Sequence, residues 1–160
     1  MIARSERGEM LSIDQERPDH PDAIALQEGS LRFSALLYPP ESNHGLTAEE
    51  MIAQGVRFFV ARKNGAPAGC GGYMIDASGA GEVKGMFVHE AFRGTGIGGA
   101  LLSRIEQDAA SRGVAIMRLE TGVQSRAALA LYRRFGYRER GPFAAYKHDP
   151  LSVFMEKMLA

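Results

Sequence analysis

Arg93-Gly94-Thr95-Gly96-Ile97-Gly98-Gly99 lies between an apolar strand-like run, Met86-Phe87-Val88, and a helical stripe of Ile97, Leu101, Leu102, Ile105 and Ala109. Glycines let the backbone come close to an anion, and successive main-chain N–H groups at a helix start present positive charge without any side chain. Those residue types in that order are suited to cradling a diphosphate.

Three phosphate loops compete for this stretch. The Walker loop needs Lys and then Ser or Thr after its glycines, and no lysine follows them here, which argues against a nucleotide hydrolase. Gly94-Thr95-Gly96-Ile97-Gly98-Gly99 satisfies the spacing of the dinucleotide fingerprint, with Glu120 placed for its acidic residue. That fingerprint belongs after the first strand of a βαβ unit, whereas more than half of this chain precedes the loop, so a nicotinamide-dependent oxidoreductase is set aside. The third pattern is Arg or Gln, two residues, Gly, one residue, then Gly or Ala. Arg93, Gly96 and Gly98 fit it.

With this third pattern the chain resembles the GNAT superfamily of acetyl-CoA-dependent N-acetyltransferases, in which the segment binds the diphosphate of coenzyme A. Glu82-Val83-Lys84-Gly85-Met86-Phe87-Val88 is similar to the family's central cofactor-binding strand. Ala128-Leu129-Ala130-Leu131-Tyr132-Arg133-Arg134-Phe135-Gly136-Tyr137 is similar to its last helix and the turn that follows. The resemblance runs from about residue 56 to the C-terminus. It implies acetyl-CoA as acetyl donor, contacted by Met86, Phe87, Val88, Arg93, Gly94, Thr95, Gly96, Ile97, Gly98, Gly99 and Ser125. Many relatives have Asn where Ser125 stands.

Acetyl transfer to an amine requires that the amine lose a proton, that the carbonyl be polarised, and that the leaving thiolate be protonated. An alkyl amine titrates about three units above neutrality, so a base or a desolvating pocket is needed. Glu82 is the first candidate base: it opens the cofactor strand eleven residues before Arg93, where histone-acetylating members of the family carry a glutamate. An ion pair with Lys84 is the alternative reading, since strict alternation would put Glu82, Lys84, Met86 and Val88 on one face. Glu120 and His44 are rivals for the base or for holding a substrate ammonium. Tyr132 matches the family's general acid, with core packing as its alternative. Main-chain N–H groups near Met86 and Phe87 are the candidate oxyanion donors, and the pantetheine arm could pair with this strand. Glu41, His44, Glu120 and Tyr146 are the expected acceptor-binding residues, with Tyr38, Phe143 and His148 near them and Arg32 or Lys84 available to a substrate carboxylate.

The reaction that follows is direct attack of a small polar amine on acetyl-CoA. The alternative is a module of the same fold that binds acyl-CoA as a sensor without turnover.

The elements that must position these residues fit one domain, residues 1–160. The chain is 45% hydrophobic and 24% charged, and it has no run long enough to span a bilayer and no secretory signal, so a cytoplasmic protein is expected. Nineteen basic residues balance nineteen acidic ones, which disfavours nucleic acid as a partner. Arg126, Arg133, Arg134, Arg138 and Arg140 could reach the 3′-phosphate of coenzyme A or form a solvated face. The single cysteine, Cys70, excludes an internal disulfide and a multi-cysteine metal site; it reads as a buried small hydrophobe, and no metal is expected.

Residues 1–9 read as an exposed lead-in and residues 9–14 as a first strand. A helix over residues 22–37 ends at Pro39-Pro40, and Thr47-Ala48-Glu49-Glu50 has the pattern of a capping box. Residues 56–62 and 68–75 form a hairpin around Asn64-Gly65, and residues 82–88 form the next strand. A helix closed by Gly113, a parallel strand over residues 114–119, a helix burying Ala128, Leu131, Tyr132 and Phe135, and closing strands over residues 137–146 and 151–158 complete the chain. The class is α/β, with a GNAT-like mixed, mostly antiparallel central sheet flanked by helices in the order β-α-α-β-β-β-α-β-α-β-β. Homodimerisation through the closing strands is expected.

Overall fold

The computed structural model describes residues 2–4, as backbone, and residues 10–159. Eight strands form one sheet in the order β1-β2-β3-β4-β5-β6-β8-β7. They are β1 (Ile2–Arg4), β2 (Met10–Glu16), β3 (Arg57–Lys63), β4 (Ala66–Ile75), β5 (Gly81–Val88), β6 (Ile116–Gly122), β7 (Arg138–Arg140) and β8 (Ser152–Met158). The helices are α1 (Pro21–Leu37), α2 (Ala48–Ala53), α3 (Ile97–Ser111) and α4 (Arg126–Arg134). The expected mixed α/β class holds, with one strand more than the sequence pattern gave. Residues 2–4 pair with β2, so this part of the lead-in is a strand; residues 1 and 5–9, which the lead-in reading also covered, lie outside the described residues.

Local signals act as their chemistry predicts. Asn64 and Gly65 take φ of 51° and 84°, the left-handed pair that a two-residue hairpin between β3 and β4 requires. At α2, Thr47 accepts from the Glu50 N–H while the Glu50 carboxylate accepts from the Thr47 N–H. Gly113, at φ 84°, follows the end of α3.

Two apolar layers sandwich the sheet. On one face Leu101, Leu102, Ile105 and Ala109 of α3 pack with Phe59, Tyr73, Met117, Leu119 and Tyr132. On the other, Ala23 and Leu26 of α1 and Met51 of α2 pack with Phe58, Val60 and Cys70. α1 buries Ala23, Leu26 and Gln27, whereas its apolar Leu36 is 85% exposed. Here the helix approaches the sheet through small residues, and a Cβ at Gly29 would lie only 3.0 Å from the Phe87 ring.

The closing segment departs most from its sequence pattern. Residues 141–150 are irregular, and β7 is only three residues long. Gly141-Pro142 cannot continue a ladder, and Ala144 adopts φ 50°, so the chain turns back where a long strand was expected. β8 then inserts between β6 and β7.

Candidate active site

The site begins at an interruption in β5. Two residues, Gly85 and Met86, stand against the single Gly71 of β4 between the Lys84–Gly72 and Phe87–Cys70 pairs, and Gly85 carries φ 66°. This β-bulge breaks the alternation expected along the strand. Glu82 and Lys84 face the α1 side with Met74, whereas Met86 and Val88 pack on the α3 side and Phe87 returns toward α1. The four residues read as sharing one face are therefore split between two.

A second interruption separates β5 from β6. Their parallel pairing is confined to Gly81 with Met117 and Glu82 with Arg118. Beyond these pairs the strands part, leaving an open cleft beside Met86, Phe87 and Val88 with main-chain groups available to an extended ligand.

At the end of β5 the chain passes through the 3-10 turn Glu90–Phe92 into the glycine-rich loop. Gly94 and Gly96 adopt φ of 77° and 84°, and a Cβ at either position would meet nothing within 4 Å. Both glycines serve backbone shape and access. Gly96 caps α3 without any side-chain bond, so the first-turn N–H groups have no capping partner. This arrangement fits a diphosphate: exposed donors, a helix dipole and no side chain in the way. The Thr95 hydroxyl donates to the Phe92 carbonyl and braces the loop. The Arg93 Nε donates to the Val88 carbonyl at 3.3 Å, and its guanidinium lies 5.0 Å from the Phe33 ring centroid.

Other loop positions serve packing. Ile97 is a core side chain, 2% exposed, leaving its N–H as the group available to a ligand. A Cβ at Gly98 would meet Leu131 at 3.2 Å, and one at Gly99 would meet Phe135 at 3.6 Å, so these glycines let α4 approach α3. The dinucleotide reading of the loop does not hold: β5–α3–β6 is a parallel crossover, but it is set in a sheet whose other described pairings are antiparallel, so the loop does not open the doubly wound parallel sheet to which that fingerprint belongs.

On the α1 face, Glu82, Lys84 and Tyr146 form a closed triangle. The Tyr146 hydroxyl donates to Glu82 Oε2 at 2.6 Å, Lys84 Nζ lies 2.8 Å from the same oxygen, and Lys84 Nζ donates to the Tyr146 hydroxyl at 2.7 Å. Glu82 is only 5% exposed, so the triangle compensates a charge withdrawn from water. Burial, followed by the neighbouring Glu82 charge, raises the Tyr146 phenol above its ordinary range. Its ring packs against His44, Phe143 and Phe154. The expected ion pair of Glu82 and Lys84 is present. Its third member comes from the irregular segment 141–150.

Glu120 is differently placed. It accepts from the Ser152 hydroxyl at 2.7 Å, and burial raises its pKa, opposed by Ser152 and by the His44 and Lys84 charges. Tyr132, 5% exposed, packs edge-on to Tyr137 at 5.8 Å. Burial holds its phenol protonated well above the usual range, with Glu120 adding to the shift, and its hydroxyl has no hydrogen-bond partner among the described residues. It is thus both a core residue and an available proton donor.

A cavity of about 630 Å³ opens next to the triangle and is lined by Glu41, His44, Gln54, Glu82, Lys84 and Tyr146 among others. The structure brings Glu41, His44 and Tyr146 together around one space, whereas Glu120, expected with them, is not among the residues that line it. Gln54 and Met74 also line it without any sequence signal. Ser125 lies at the start of α4, where its hydroxyl is 3.0 Å from that of Tyr38. Of the arginines considered for the 3′-phosphate, Arg133 pairs with Glu139 and Arg140 with Glu156. Cys70 is fully buried, and burial pushes its thiol up to about 12, as befits a packing residue.

Comparison with known proteins agrees with this geometry. The family model described as Acetyltransferase (GNAT) family matches residues 23–137. An IAA acetyltransferase from Azospirillum brasilense is 45% identical over 150 residues, covering 93% of this chain and 98% of the relative. A provisionally named acyl-CoA N-acyltransferase from Klebsiella pneumoniae is 34% identical and superposes with a TM-score of 0.79 over 94% of this chain and 98% of that one. The PaiA N-acetyltransferase of Thermoplasma acidophilum, solved with coenzyme A, shares the fold at 18% identity and a TM-score of 0.72, covering 92% and 99% of the two chains. Among the described residues, no helix is long and apolar enough to cross a membrane.

Proposed function

Because the chain belongs to the GNAT family of acetyltransferases, we propose that it moves acetyl from acetyl-CoA to the amine of a small polar molecule by direct attack. The observation that carries this reading is the junction of three features: an uncapped, glycine-rich helix start, a parted pair of strands beside it, and an enclosed carboxylate and phenol where the strands part.

Acetyl-CoA supplies an activated thioester. The N–H groups of Gly94 to Gly99 hold the diphosphate, and the Met86-Phe87-Val88 backbone pairs with the amides of the arm and polarises the carbonyl. An incoming ammonium is drawn to Glu120. Its raised pKa makes it a stronger base than an exposed carboxylate, and it takes the proton that the amine must lose. Glu82 was the first candidate for this task. Its Oε2 already accepts from Lys84 and Tyr146, which suits it better to fixing the negative field and the position of Tyr146. As the C–N bond forms and the C–S bond breaks, Tyr132 gives its proton to the departing sulfur and regains one from the second proton that nitrogen releases on becoming an amide; Ser125 contacts the arm near its amide end. Glu41, His44 and Tyr146 contribute to the acceptor side.

The test is thiol release from acetyl-CoA with a panel of primary amines and with IAA, the acceptor in the Azospirillum relative's name. Amine-dependent release with acetylated product supports the reading. Tight binding of coenzyme A without release from any acceptor supports a sensor instead. A homodimer joined at the closing strands would use the edge of β7, and sedimentation at several concentrations tests it.

A further inference from the structure

Tyr38, the residue that ends α1, reaches across to the opposite side of the cleft. Its hydroxyl lies 3.0 Å from Ser125 Oγ and accepts from the Gln124 N–H at 3.0 Å. Below it is Gly122, the last residue of β6. A Cβ at Gly122 would fall 1.9 Å from the Tyr38 hydroxyl oxygen and 2.0 Å from the ring carbon bearing it. No rearrangement short of moving the ring would admit a methyl group there. Gly122 and Tyr38 therefore fit each other as glycine and phenol, and no other residue type at 122 leaves Tyr38 in this place.

Gly122 and Glu120 point to the same face of β6, because side chains alternate along a strand. Phe154, the partner of Glu120 on β8, carries the Tyr146 ring at 5.5 Å. One phenol thus stands over the neighbour of Glu120 along its own strand, and a second stands over its neighbour across the sheet. Tyr38 and Tyr146 thus flank Glu120 on this face of the sheet, one along its strand and one across it.

We propose that Tyr38 is a specificity-determining residue: seated on Gly122 and tied to the β6–α4 turn, it restricts the site to slim primary alkylamines and turns away amines branched or ringed next to nitrogen. This rests on the acetyltransferase reading with Glu120 as the proton acceptor. The two hydrogen bonds hold the ring against the turn that starts α4, so the exclusion does not depend on packing alone. Because α4 carries Tyr132, Tyr38 also fixes the acceptor wall relative to the proton donor.

The experiment compares ethylamine with cyclohexylamine as acceptors in the full chain, reading kcat/KM for thiol release, alongside calorimetric titration with CoA and a thermal melt. Tyr38→Ala is expected to raise the ratio of cyclohexylamine to ethylamine about tenfold or more, the scale at which pocket volume sorts substrates. Gly122→Ala shifts the ratio in the same direction by displacing the ring. In the Tyr38→Ala background Gly122→Ala adds nothing, since no ring remains for its methyl to displace, and this lack of additivity is a result that mere loss of stability would not produce. Should Tyr38→Ala fail to fold, Tyr38→Leu makes the same comparison with a smaller shift. An unchanged ratio in a folded Tyr38 variant, or thiol release from neither amine by wild type and variant alike, overturns the inference. Failure of the wild-type chain to bind CoA overturns the acetyltransferase reading beneath it.

Discussion

The Tyr146 hydroxyl donates to Glu82 Oε2 at 2.6 Å, joining residues 64 positions apart in the chain. Tyr146 comes from an irregular return segment and Glu82 from a central strand, and Lys84 closes the contact into a triangle. A buried carboxylate with two donors on one oxygen is fixed in place, and its removal or release changes the field over the whole acceptor space.

Tyr146→Phe keeps the aromatic packing with His44, Phe143 and Phe154 and deletes only the hydroxyl. A hydrogen bond to a charged group contributes about 1.5–3 kcal/mol, so the variant is expected to lose about tenfold or more in kcat/KM with a modest fall in melting temperature. Steady-state kinetics and a thermal melt check both values.

Tyr132→Phe removes the proposed donor to sulfur while retaining the ring in the core. General acid catalysis typically contributes at least about a hundredfold, and the loss is expected in kcat, with the dissociation constant for CoA within about twofold of wild type. Equal losses in turnover and in CoA affinity would assign the hydroxyl to binding.

The proposed role of Glu120 as proton acceptor places the acid limb of the pH profile on this residue. Burial raises its pKa, so kcat/KM should climb with pH across a range above that of an ordinary carboxylate, and Glu120→Gln should abolish this limb together with most of the activity. The same shift has a consequence for stability. A carboxyl that holds its proton more tightly when folded contributes stability at pH values below its unfolded pKa, and that contribution is lost as pH rises through the folded value. Glu120→Gln is therefore expected to melt higher than wild type near neutrality and to lose this advantage in acid, as thermal melts from pH 4 to pH 8 would reveal.

Gly96→Val places a β-branched residue at φ 84°. The surrounding space is open, so the cost to the free protein is conformational, about 1–2 kcal/mol for a left-handed non-glycine residue. Its methyl groups project into the region proposed for the diphosphate. Calorimetry should detect no CoA binding while the melt shows a folded protein.

Cys70 should be inert toward thiol reagents in the native state, since it is fully buried with its thiol pushed up to about 12. One thiol should become titratable on denaturation with guanidinium. A thiol-release assay for turnover consequently has no background from the folded chain.

Much of the site was legible in the chain because its signals are local. The loop from Arg93 to Gly99 requires left-handed glycines at Gly94 and Gly96, and these are visible as residue types in fixed order. The capping box at Thr47 and Glu50 and the Asn64-Gly65 hairpin are likewise short-range hydrogen-bond problems with few solutions. Hydrophobic periodicity located most strands and helices to within a few residues, and it carried Glu82 and Tyr132 onto their elements.

What the sequence by itself determined, then, is whatever a few consecutive residues settle through backbone conformation and alternation: most of the elements, the glycine-rich turn and the strand before it. Tertiary structure alone decided the bulge at Gly85, which divides Glu82 and Lys84 from Met86 and Val88, and the parting of β5 from β6 after a two-pair contact. It also decided that Tyr146 would lock Glu82 and that Tyr38 would stand on Gly122. Each of these depends on which distant segments share space once the sheet twists and the helices cover it. The free energy of such a contact is set by burial and by the partners that burial supplies, neither of which exists until the chain has folded.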